Sequence, residues 1–234
     1  PNSLHLNGTG IASGGALVAN NSVTYQGAIT LDTASSINVV GGATTLTLSG
    51  AINGVSGFDK IGAGTLVLSN ATNSYAGNTT ITAGTLTLGA AGVIPNASNV
   101  AVNGSTVFNL AGFSETIGDL SGAGSVTLNG GTLTTGTAGN STFSGIISLA
   151  GNLIKQGAGI LTLSGVNTFT GTVTINGGTL QIGVTNALPT TAAVTLANAV
   201  GVIFDLNGFD TTIGSLSGLG GDVSLGGNRL TVNN

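Results

Sequence analysis

Cysteine and tryptophan are absent from this chain of 234 residues, and charged residues make up only 4% of it. An ordinary soluble domain carries roughly 25%. Lys60, Lys155 and Arg229 are the only basic residues besides one histidine, and seven acids bring the formal net charge to −4. So weak a positive field excludes the phosphate contacts by which proteins grip nucleic acid, and it offers nothing to anionic lipid. His5 is the single histidine. With no cysteine beside it a transition-metal site fails on ligand count, and no pattern around it suggests a Ser-His-Asp triad. It reads as an outward-facing strand residue. Cysteine-free composition suits either redox compartment.

Long apolar runs are also missing, although the mean hydropathy is +0.49. The alternating stretches last about four to six residues, short of the ~9–11 that a membrane-spanning strand needs, and no tryptophan is available for an interfacial girdle. A transmembrane barrel is therefore not expected. No signal peptide is visible and the first residue is Pro1, so the chain reads as a processed product or a segment of something longer.

What the chain has in abundance is glycine, 42 residues, together with Val, Ile, Leu and Thr in short alternating runs. Every second side chain is aliphatic at Leu46 and Leu48, Leu66 and Leu68, Leu86 and Leu88, Val126 and Leu128, Leu161 and Leu163, Leu180 and Ile182, and Leu230 and Val232. A period of two places these on one face of a strand, with Thr and Ser on the other. Gly-Gly and Asn-Gly pairs separate the runs, as at Asn53, Asn103, Asn129, Asn176 and Asn207. Corners that demand positive φ favour these residues. No stretch has helical spacing, so the chain is expected to be all-β.

A block of about 95 residues recurs. "GAGTLVLS" (62–69) is answered by "GAGILTLS" (157–164), "GNTTITAGTLTLG" (77–89) by "GTVTINGGTLQIG" (171–183), "FNLAGF" (108–113) by "FDLNGF" (204–209) and "IGDLSGAG" (117–124) by "IGSLSGLG" (213–220). The repeated positions are Gly62, Gly64, Leu66, Leu68, Gly84, Leu86 and Leu88, matched by Gly157, Gly159, Leu161, Leu163, Gly178, Leu180 and Ile182. Asn-Gly between alternating runs is also the signature of an antiparallel hairpin. The spacing of about 20 residues between equivalent aliphatic pairs favours instead one coil of a right-handed parallel β-helix. We expect one β-solenoid over 1–234, with repeat copies at about 22–136 and 142–234 and residues 1–21 belonging to a preceding repeat. "YQGAITL" (25–31) matches "FSGIISL" (143–149) at a different spacing from the following lysine, so coils look to be gained and lost as units.

Candidate chemistry is thin. The acids are Asp32, Asp59, Glu115, Asp119, Asp205, Asp210 and Asp222, and none recurs between copies. A polysaccharide-cleaving β-helix needs two carboxylates close together, and the acids of residual interest, which could meet on neighbouring coils, are Glu115 with Asp119 and Asp205 with Asp210. The Gly-Gly-x-Gly-x-Asp calcium nonapeptide is missing, with Asp222 after Gly220-Gly221 as its only echo. No metal and no cofactor are expected. Lys60 and Lys155 are the one repeated charge. They read as residues that discourage edge pairing or bridge to a nearby acid; an amide cross-link to an asparagine, with Glu115 as the acid, is the chemical alternative. The Thr-x-Thr rows are too irregular for an ice-ordering array, and Asn-x-Ser/Thr sequons such as Asn78 and Asn140 follow from asparagine at turns.

Across "GAGTLVLSNATNSYAGNTTITAGTLTLG" and "GAGILTLSGVNTFTGTVTINGGTLQIG" the chain resembles the autotransporter-associated β-strand repeat of passenger regions. The resemblance implies export, a right-handed parallel β-helix, and a surface-displayed stalk, and it carries no catalytic residues. The expectation is a non-enzymatic extracellular segment forming a rod, fibre or matrix filament, adhesive in character, that stacks end to end, laterally or onto further coils of a longer chain and contacts glycans or the cell surface. Two other readings stand beside it: a carbohydrate-binding or carbohydrate-cleaving β-helix, and a passenger spacer that assists secretion.

Overall fold

The computed structural model describes residues 2–233. Every strand pairing is parallel, and the strands stack as a β-solenoid with three faces to the coil. Face I is an unbroken ladder of eleven strands from Leu17–Ala19 to Asp222–Ser224. Face II runs from Val23–Tyr25 to Ile146–Ser148 and resumes at Thr211–Ile213 and Leu230–Val232. Face III holds Leu4–Leu6, Ile29–Leu31 and Ile52–Gly54, then resumes from Glu115–Thr116 to Ser215–Gly218. The chain passes from III to I to II in every coil. Among the described residues there is no α-helix, only a short 3-10 turn at Ile11–Ser13.

Alternation produces this architecture directly. Strands such as Thr45–Leu48, Thr65–Leu68 and Thr179–Ile182 bury their second and fourth residues and leave the first and third half-exposed. In-register stacking then sets Leu46 over Leu66 over Leu86 and Phe108, so one continuous aliphatic column fills the coil interior. Burial of each such leucine contributes about 1.5–3 kcal/mol. Leu230 and Val232 depart from the expected pattern: in the last described coil they are half-buried and exposed.

Asn53-Gly54 lies within the strand Ile52–Gly54 and not at a turn; the other Asn-Gly pairs are corners, not hairpins. Asn129 and Gly130 have φ of 51° and 98°, the two left-handed residues of a tight hairpin turn. Here the turn joins Ser125–Thr127 on face II to Thr132–Thr135 on face III, strands that do not pair with each other. Close stacking makes other corners glycine-only. A Cβ on Gly145 would collide with the Gly124 carbonyl, and one on Gly165 with the Gly145 carbonyl.

Where a strand is missing, an asparagine takes over the ladder. On face III, Asn73 Oδ1 accepts the Ile52 N–H at 2.7 Å and its Nδ2 donates to the Val93 carbonyl at 2.7 Å. On face II, Asn167 does the same between the Ile147 N–H (2.7 Å) and the Ala187 carbonyl (2.6 Å). One side chain thus satisfies a main-chain donor below and a main-chain acceptor above.

These two breaks are sequence equivalents on different faces, and so is everything else in the repeat. From Phe58–Ile61 on face I the chain climbs four coils, through Thr79–Ile81, Val100–Val102 and Leu120–Gly122 to Ser141–Phe143, then crosses face II before its match Asn152–Lys155 on face III. The 95-residue repeat therefore covers four coils and two faces. "TLVL" (65–68) lies on face II and its match "ILTL" (160–163) on face I.

Candidate functional site

The two repeated lysines are inside the solenoid. Lys60 and Lys155 are 0% and 1% exposed, in phase with the buried Phe58 and Leu153 of their strands. Lys60 Nζ donates to the carbonyls of Ile61, Gly62 and Ala83 at 3.0, 2.8 and 2.9 Å. Lys155 Nζ donates to those of Gln156, Gly157 and Gly177 at 2.7, 2.9 and 3.0 Å. Three carbonyls converging at a corner leave a gap in the main-chain ladder, and a three-donor ammonium fits it. Both lysines are pulled down to about 8 by burial, with Asp59 and Asp119 respectively opposing. This corrects the expectation of an edge-blocking or salt-bridging residue: neither lysine forms a salt bridge among the described residues, and neither reaches Glu115. The alternation that placed Leu66 inside places Lys60 inside as well.

Glu115 is buried beside the face III break, where its Oε2 accepts the Val93 N–H at 3.0 Å. Burial pushes its carboxyl up to about 7, against the pull of the Val93, Ile94, Thr116 and Gly92 N–H groups. Tyr75, stacked edge-on against Phe58 at 5.5 Å, has its phenol pushed far above the usual range by burial. Glu115 and Asp119 do not meet. Asp119 sits outside, accepting from the Thr137 N–H and hydroxyl, each at 2.8 Å. Asp205 and Asp210 are likewise separate. Burial would raise Asp205, but donors from Gln181, Asn207 and Ser224 outweigh it and hold the carboxyl low; Asp210 accepts the Arg229 N–H. The expected carboxylate pairs fail because alternation sends their members to opposite sides of the wall or to different corners. His5 faces outward and lies 3.0 Å from Asp32. Asp222 is exposed, and no group of three or more His, Asp or Glu side chains converges among the described residues.

The surface feature that sequence reasoning missed is a polar groove along face I. Its outward row runs Ser36, Asp59, Thr80, Ala101 and Ser121 in strict register, with Thr142 in the next coil. A second row, Asn78, Asn99, Asp119 and Asn140, stands at the corner that leads into these strands. Two adjoining hollows of about 370 and 360 Å³ share Asn78 and Thr80. The corner side chains are braced by the coil wall: Asn99 Oδ1 accepts the Asp119 N–H at 2.8 Å, and Asn140 Oδ1 accepts the Ile160 N–H at 2.9 Å. Asp59 accepts the Thr82 hydroxyl. A signal for the groove was present in the sequence. Asn78-x-Thr80, Asn99-x-Ala101, Asp119-x-Ser121 and Asn140-x-Thr142 recur at intervals of 21, 20 and 21 residues, the coil period and not the 95-residue period.

A parallel β-solenoid of about 20-residue coils, with repeated internal lysines and an external polar groove, is the class of protein defined here. Residues 58–88 and 153–182 match the passenger-associated-transport-repeat family, so the chain carries two copies of that repeat. Both matches begin on the strand that holds a caged lysine. A stretch of 43 residues is 56% identical to the adhesin BmaC autotransporter of Brucella suis biovar 1 (strain 1330), covering 17% of this chain and 1% of that protein. No solved structure gives a significant match.

Proposed function

We propose that this chain is a segment of a bacterial extracellular rod, the passenger-type stalk of an autotransporter-like surface protein, whose sides make adhesive contacts. The observation that carries the reading is the uninterrupted eleven-strand ladder of face I combined with two passenger-associated-transport repeats. Ten steps of ~4.8 Å give the rod a length of about 48 Å. The strand edges at Leu17–Ala19 and Asp222–Ser224 have one ladder neighbour each, so a further coil, from the same polypeptide or from another copy, can pair there. Low charge leaves little repulsion against such stacking. The adhesin relative supports a surface-contact role over a bare secretion spacer.

Carbohydrate cleavage gains no support from the site. Asp59 and Asp119 lie three coils apart on face I, about 14 Å at ~4.8 Å per coil, beyond the ~5–9.5 Å over which two carboxylates cooperate in glycoside hydrolysis.

Protease shaving of intact producing cells, followed by detection of this segment, tests the surface assignment, and negative-stain microscopy of the purified chain tests the rod. Release of the segment from whole cells and an elongated particle are expected. Protection of the segment until cells are lysed would refute the surface reading, and a spherical particle would refute the rod.

A further inference from the structure

From the groove on face I we infer a binding site for an uncharged, hydroxyl-rich glycan chain lying along the solenoid axis. This inference stands independently of the surface-rod reading. Six ladder strands from Ser35–Val39 to Ser141–Phe143 floor the groove, a length of about 24 Å at ~4.8 Å per step. That suits an extended polymer better than a compact metabolite.

The chemistry of the lining selects the occupant. Thr80, Ser121, Ser141 and Thr142 hydroxyls and the Asn78 amide face the hollows and make no side-chain hydrogen bond among the described residues. Asn99 and Asn140 use their Oδ1 atoms on the coil wall, which fixes the amide planes and leaves each Nδ2 as an oriented donor. Asp119, whose oxygens already accept from Thr137, and Asp59 add acceptors. The result is a row of donors and acceptors repeating with the coil, in which Asn99, Asp119 and Asn140 are braced before binding and lose little side-chain entropy on it.

Other occupants are disfavoured by the same residues. No lysine or arginine lines the groove and two carboxylates do, so polyuronates, sulfated glycans and nucleic acids meet repulsion with no compensating cation. The only aromatic in the lining, Phe58, is 3% exposed, which leaves no apolar anchor for an amphipathic helix or a lipid. The main-chain groups of the floor are committed to the face I ladder, so an extended peptide has no strand edge to join. Hydrogen-bonding groups with no cation and no exposed aromatic or large aliphatic side chain among them suit a neutral sugar chain.

The test is ¹⁵N-HSQC titration of the full chain with neutral glucose, mannose and galactose hexasaccharides at millimolar concentration, alongside hexagalacturonate. At least one neutral hexasaccharide is expected to shift the amides of residues 78–80, 99–101, 119–121 and 140–142 together. The triple variant T80V/S121A/T142V removes only outward hydroxyls that hold nothing in the fold. It should keep the wild-type spectrum and melting curve and weaken binding by about tenfold or more, since each lost hydrogen bond contributes about 0.5–1.5 kcal/mol. A second variant, Ala101→Arg, places a bulky cation in mid-groove and should abolish binding of the neutral chain. The inference is overturned if no neutral hexasaccharide perturbs these residues, if hexagalacturonate binds there in preference, or if binding survives both variants.

Discussion

Replacing Lys60 by methionine sets two opposed effects against each other. Met keeps the length and the apolar stem of the side chain but withdraws the donor from the Ile61, Gly62 and Ala83 carbonyls. Each acceptor left without its partner costs about 1–2 kcal/mol where water has poor access. In the other direction, Met relieves the cost of holding an ammonium out of water. A fall from 10.5 to about 8 corresponds to about 3 kcal/mol, reduced to about 2 once corner solvent screening is allowed for. The carbonyls win, and Lys60→Met should destabilise the chain by about 1–4 kcal/mol at pH 7. Lys155→Met should do the same, because its three acceptors have equivalent geometry. The two sites are four coils and two faces apart, about 22 Å along the axis at ~4.8 Å per coil, so the double variant should lose the sum of the two. Urea unfolding followed by circular dichroism at pH 7 measures all four proteins. A methionine variant as stable as the wild type, or more stable, would show that desolvation of the ammonium outweighs the carbonyl cage.

Titration of the buried groups predicts an unusual stability profile. Glu115 is raised to about 7 in the fold, so its contribution is complete below about 4.5 and is lost as pH rises through 7; Lys60 and Lys155 are lowered to about 8, so theirs is complete above about 10.5 and is lost as pH falls through 8. Denaturation midpoints measured from pH 4.5 to 10 should pass through a minimum between 7 and 8, with the acid limb flattened in Glu115→Gln; a maximum in that window contradicts these assignments. Asn167→Leu should cost about 2–4 kcal/mol by orphaning the Ile147 N–H and the Gly165 carbonyl, while the Ala187 carbonyl keeps the Asn167 main-chain N–H, and a loss below about 1 kcal/mol on chemical denaturation would show that the ladder does not need its bridge. Gly145→Ala, which drives a methyl into the Gly124 carbonyl, should cost about 3 kcal/mol or more. Gly42→Ala, with open space at its Cβ, should stay within about 0.5 kcal/mol; equal melting temperatures for the two variants would refute the stacked-corner account.

The wall of the solenoid was legible in the residues because its physics is local. Alternation assigns Leu66 and Leu68 to the interior with no knowledge of what stacks above them, and the coil period follows from the spacing of such pairs. Charge misled at Lys60 and Lys155. Their strand phase pointed inward, but an inward ammonium is sensible only when three carbonyls converge on it, and that convergence depends on the path of two successive coils. The acid pairs failed for a related reason: sequence proximity of Glu115 and Asp119 says nothing about which side of the wall each occupies. The groove was hidden by the search for long repeats, since Asn78, Asn99, Asp119 and Asn140 follow the coil and not the duplicated block.

That independence of block and coil governs how such a molecule can lengthen. Because the duplicated block ends one face short of a whole number of coils, copying it in tandem sets each daughter on a new side of the rod, and three copies are needed before any side recurs. Insertions are tolerated when they add whole faces, about seven residues each for a coil of this size, since every face offers the same alternating wall to its neighbours. Duplication alone therefore diversifies the flanks of the growing rod: residues that arise once in the block meet the surroundings from three directions, while the aliphatic interior continues without a seam.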